Sequence, residues 1–122
     1  MSAETLQAAL REVVAHGQRA TRAALVAQAI AAHEYKRATV DASGKARKAA
    51  ASAARGWNTG STTATVIRDA NRAEMWRDRA ATAAGLSPAT VEVASALLAD
   101  WHGAMSDVVP AALVLVGEAV AA

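Results

Sequence analysis

Residues 3–38 read AETLQAALREVVAHGQRATRAALVAQAIAAHEYKRA, and this stretch decides the fold class. Small or apolar residues recur as Leu6, Leu10, Val13, Gly17, Ala20, Ala24, Ala27 and Ala31, spaced alternately four and three apart. That is the spacing of a helix seam, one stripe that faces a partner helix. After Val13 the seam holds only glycine and alanine, so a partner can approach closely, while Val14, Leu25, Val26 and Ile30 widen the apolar face. Ser2 is placed to cap the start, and Glu4 and Glu12 lie toward the positive end of the helix. One long helix over about residues 3–38 is predicted. Gly17 is where it would break, because glycine costs about 1 kcal/mol against alanine in a helix interior.

Further along, Asp41-Ala42-Ser43-Gly44 carries a turn signal, and Lys45 to Arg55 reads as a short helix of alanines and cations closed by Gly56. Across residues 31–65 the large apolar side chains are only Tyr35, Val40 and Trp57. Such a segment gains little from its own burial, and residues 39–64 are expected to form a basic arm and loop held by something outside them. A second long helix is expected from Thr63 or Thr65 to Ala84, with Val66, Ala70, Ala73, Trp76, Ala80 and Ala84 on one face. Its other face mixes Arg68, Asp69, Arg72, Glu74, Arg77, Asp78 and Arg79, with Asp69/Arg72 and Glu74/Arg77 as pairs three apart. Gly85, Ser87 and Pro88 stop this helix and start the next, over about residues 88–105. A last apolar helix follows Ser106-Asp107. No stretch alternates with period two, so the class is all-α: one domain of four to five helices, an alanine-rich bundle whose residues 65–122 form a three-helix portion.

Composition narrows the function classes. The chain of 122 residues contains 36 alanines and no cysteine. Without cysteine there is neither a disulfide framework nor a thiolate metal site. His33-Glu34-Tyr35-Lys36-Arg37 opens like the H-E-x-x-H zinc motif but ends on arginine, and His16 follows Glu12 by one turn as an ordinary helix contact. No serine lies in a nucleophile-elbow context. No catalytic residue, metal, cofactor or small-molecule substrate is therefore expected, and the protein reads as a non-enzyme. The N-terminus has no basic and apolar leader pattern, and Val108–Ala122 is too short to span a bilayer. No membrane contact is expected; the location is cytoplasmic or a virion.

Charge is uneven. Residues 1–60 carry 9 Lys/Arg against 4 Asp/Glu, and residues 61–122 carry 4 against 7. The basic tract contributes Lys36, Arg37, Lys45, Arg47, Lys48 and Arg55, followed by Trp57, which can stack on a base. These seven are the candidate nucleic-acid or partner contacts, since cations on a small-residue scaffold bind phosphates by counterion release. Gly56-Trp57-Asn58-Thr59-Gly60-Ser61-Thr62-Thr63 has a faint look of a phosphate loop but lacks its lysine. Val109, Leu113, Val116 and Val120 mark the last helix as a candidate oligomer interface.

The string Ala81-Thr82-Ala83-Ala84-Gly85-Leu86-Ser87-Pro88-Ala89-Thr90-Val91 resembles the helix-turn-helix of bacterial regulators such as lac-type repressors, over residues 78–98. The resemblance implies that Pro88 onward is a recognition helix for a major groove. Two functions follow as expectations. The first is a structural or assembly subunit of a homo-oligomer, for example in a phage particle or its neck, with the basic arm against a neighbour or nucleic acid. The alternative is a small DNA-binding protein, either a helix-turn-helix regulator or a non-specific binder.

Overall fold

The computed structural model describes residues 2–59 and 63–99. Among these described residues four helices follow one another: α1 (Ala3–His33), α2 (Arg37–Thr59), α3 (Thr63–Ala83) and α4 (Pro88–Ala99). The protein is an all-α bundle with a long first helix, as its periodicity predicts.

α1 begins where Ser2 caps it: the Thr5 N–H donates to Ser2 Oγ at 3.1 Å. It passes through Gly17 without a break, because Ala20, Ala23, Ala24, Val26, Ala27 and Ile30 are buried beyond it and their packing outweighs the local propensity. It ends at His33, about five residues earlier than expected, with Glu34 in a non-helical conformation. The chain reverses there through Thr39. Its Oγ1 accepts the Lys36 N–H at 3.1 Å and donates to the Glu34 carbonyl at 2.7 Å, which caps the start of α2 and satisfies a fully buried hydroxyl.

The largest departure from the sequence reading is α2. The expected turn at residues 41–44 and residues 39–59 of the expected arm lie in one continuous helix of 23 residues that runs past Gly56 to Thr59, and residues 63 and 64 of that arm begin α3. Thr39, Ala42, Ser43, Ala46, Ala49, Ala50 and Ala53 fall three and four apart and are buried. They pack against α1 and α3, so the arm is a central member of the bundle. Methyl groups suffice because small residues let helix axes come close, where many weak contacts add up. Burial then outweighs the turn preference of Asp-Ala-Ser-Gly, and the Asp41–Lys45 pair at 3.3 Å spans that same stretch as a helical i,i+4 contact.

α3 buries most of the face predicted for it, with Trp76 and Ala84 only partly buried against the core. Val66, Ala70, Ala73, Ala80 and Ala81 are buried on α3, and Val91, Ala94 and Leu98 on α4. Between them Leu86 N–H bonds the Ala81 carbonyl at 2.9 Å and Gly85 N–H the Thr82 carbonyl at 3.1 Å. This is the Schellman pattern, and Gly85 takes the left-handed φ of 74° that it requires. Ser87 then caps α4 through the Thr90 N–H at 3.3 Å. α4 packs on α1 and α3. The expected last helix, with Val109, Leu113, Val116 and Val120, lies outside the described residues, as do residues 60–62 of the expected loop. No helix among the described residues is long and apolar enough to cross a membrane.

Candidate nucleic-acid interface

On α2 the core residues occupy one side, and Arg37, Lys48 and Arg55 fall on the opposite side. They are eleven and seven residues apart, which returns to nearly the same angle at 3.6 residues per turn. All three are exposed, as are Lys45 and Arg47 on the two flanks of that line. Lys36 is different. Its ammonium donates to the Ala83 carbonyl at 3.1 Å and lies 3.6 Å from Glu34, so it holds the end of α3 against the α1–α2 corner. Trp57 belongs to α2, and its side chain lies outside the described residues.

Two contacts fix how α3 lies beside α2. The Lys45 ammonium sits 4.4 Å from the centroid of the Trp76 ring, and Ser52 Oγ donates to Asp69 Oδ2 at 2.7 Å. The helices are antiparallel, and the same register carried along them sets Lys48 level with Ala73 and Ala53 level with Arg68. Arg72 and Arg79 flank Trp76 at one turn on either side, and the Arg79 guanidinium lies 4.5 Å from its ring centroid. Arg68, Arg72 and Arg79 are all exposed. They therefore join Lys45, Lys48 and Arg55 in one cationic surface that spans two helices.

The carboxylates of this region are neutralised or turned elsewhere. Asp41 is paired with Lys45. Asp69 is only 3 % exposed; it accepts from Ser52 beneath the surface and lies 3.9 Å from Arg68. The expected Asp69–Arg72 pair does not form. Glu74 faces α1, where it pairs with Arg19, and Arg19 also reaches Asn71 Oδ1 at 3.0 Å. The expected Glu74–Arg77 contact is present at 3.8 Å, and Arg77 further holds Asp78 at 3.0 Å. α3 thus turns Glu74 toward α1, buries Asp69 against Ser52 of α2, and carries Arg68, Arg72 and Arg79 exposed on its α2 side.

Sequence reasoning placed the site on α2 alone and missed Arg68, Arg72 and Arg79. The signal was present: those arginines are four and seven residues apart and bracket Trp76, one shoulder of a helix. A charge count by chain segment hides it, because Glu74 and Asp78 sit among them in sequence and away from them in space. Tyr35, 84 % exposed at the α1–α2 corner beside Arg37, Val40 and Asp41, was also missed and offers a second ring to stack on.

On α4, after the turn at Gly85, the exposed side chains among the described residues are Pro88, Ala89, Glu92, Val93 and Ala96, with no Arg, Lys, Asn or Gln among them. A shallow cleft between the two helices is lined by Arg77, Asp78, Thr82 and Glu92 with Leu86, Pro88 and Val91, and its acids oppose phosphate. Glu12 and His16 make the expected helix contact, with His16 Nε2 3.9 Å from the carboxylate and Nδ1 3.1 Å from Arg19 Nη2. No family model, curated protein or solved structure matches the chain.

Proposed function

We propose that the protein is a non-enzymatic structural subunit of a nucleic-acid-containing assembly, for example a phage particle or its neck, and that the α2–α3 surface lies against the phosphate backbone. One observation carries this reading: six cations from two helices share a surface whose carboxylates are either paired or buried. Cations on rigid helices at nearly fixed spacing meet a regular array of phosphates without sequence preference. The exposed α4 side chains, which among the described residues include no Arg, Lys, Asn or Gln, favour backbone contact over a sequence-reading regulator. That copies of the subunit assemble with one another is part of the same proposal, and light scattering on the purified chain measures it directly.

Binding to random-sequence duplex DNA tests the central claim. With about five phosphate contacts, affinity falls roughly 100- to 1,000-fold between about 50 and 200 mM salt. The combined Lys48→Ala, Arg68→Ala and Arg72→Ala variant weakens binding at every sequence, and its salt slope is smaller by about 3. No binding at the lower salt, or equal binding by the variant, refutes the proposal.

A further inference from the structure

The N-terminal half of α1 carries an apolar stripe that nothing among the described residues seals. Leu6 is 49 % exposed, Leu10 43 % and Val14 40 %, while Val13 beside them is partly buried against the core. The same flank is closed farther along: Leu25, eleven residues after Val14 and so at nearly the same angle, is 8 % exposed. α4 packs on α1, and the described chain ends with it at Ala99. We propose that the open stripe is the docking site for residues 107–121 of the same chain.

Three observations select this occupant. The first is pattern. The open Leu6, Leu10 and Val14 lie four apart along one helical face, and Val109, Leu113, Val116 and Val120 recur at four, three and four in a segment whose one charged side chain after Asp107 is Glu118. The second is length. Twenty-three residues follow Ala99. As helix they cover about 35 Å, against roughly 12 Å from Leu6 to Val14, so residues 107–121 are long enough to cover the stripe with residues 100–106 left as a link.

The third is area. Three half-exposed aliphatic side chains offer on the order of a few hundred Å², well below the roughly 800 Å² per partner of a stable dimer. A tethered segment needs far less, because its effective concentration is already in the millimolar range. This inference is separate from the polyanion surface, which lies on α2 and α3, so either can fail alone.

The chain contains no cysteine, which makes a disulfide test clean. Leu10→Cys is combined in turn with Val109→Cys, Leu113→Cys, Val116→Cys and Val120→Cys in the full chain, oxidised, and separated without reductant. At least one pair is expected to close within a single chain, at a yield several-fold above that of Ala15→Cys with the same partners. Ala15 lies about 140° round the helix from Leu10 and is exposed. Disulfide-linked dimers would assign the stripe to a second copy and overturn the proposal, as would yields no higher than the control. Should a cysteine pair disturb folding, Leu10→Ala and Leu113→Ala in a double-mutant cycle on thermal unfolding give a second reading. Non-additive losses are expected, and strict additivity overturns the proposal.

Discussion

Two residues show how a single side chain or backbone angle anchors this fold. Gly85 holds φ at 74° to end α3, a region where a Cβ is strained although no neighbouring atom crowds the position. Gly85→Ala is expected to lower stability by about 1 kcal/mol through the backbone alone, measured by chemical denaturation. Ser52 matters for the group that it satisfies. Asp69 is buried and accepts the Ser52 hydroxyl at 2.7 Å, so Ser52→Ala leaves a buried carboxylate oxygen without that partner. The expected loss is roughly 1–3 kcal/mol, and the further change Asp69→Ala should cost less in that background than in the wild type. Unfolding curves of the two single variants and the double variant check this. The N-cap at Ser87 and the glycine stop at Gly85 were legible in the sequence, because caps are local. The role of Asp69 was not, because its partner is seventeen residues away on another helix.

At the scale of elements, α2 separates composition from context. Its sequence offers a turn-like Asp-Ala-Ser-Gly and almost no large apolar side chain, yet it packs against both α1 and α3. The missed inference was that alanines at 42, 46, 49, 50 and 53 form a stripe as regular as any leucine seam. Their value depends on how closely the neighbouring helices approach, a quantity that residue type alone does not state. Space at that contact is correspondingly tight. Ala46→Leu, at a fully buried position, is expected to cost about 1–3 kcal/mol and lower the melting temperature. Ala51→Leu, on the exposed side of the same helix, should change stability by no more than about 0.5 kcal/mol. Equal effects at the two positions in a thermal melt would contradict this packing. By contrast, α1 and α3 were recognisable along nearly their whole length, since each carries large apolar residues at helical spacing.

Across the whole molecule, the distribution of charge is a tertiary property. The chain has a net charge of only +2, and its second half is acidic. Folding nevertheless sets Arg68, Arg72 and Arg79 beside α2 while Glu74 turns to Arg19 on α1. A direct consequence is that the position of a cation, and not its number, governs binding to a polyanion. Arg72→Glu on the α2–α3 surface should weaken duplex binding more than tenfold at about 50 mM salt, whereas Arg11→Glu on the exposed N-terminal part of α1 should change it less than threefold. Fluorescence anisotropy with a labelled duplex distinguishes the two.

The sequence by itself determined the helical class, the first and third helices, the α3–α4 caps and the basic character of residues 36–55. These follow from periodicity, capping chemistry and composition, which act over one or two turns. Tertiary structure alone decided that the basic segment is a buried-faced helix, that three arginines of α3 belong to its surface, and that Leu6, Leu10 and Val14 are left open. Each of these depends on which helices pack side by side and in what register, and methyl-sized contacts report that only after the chains have met.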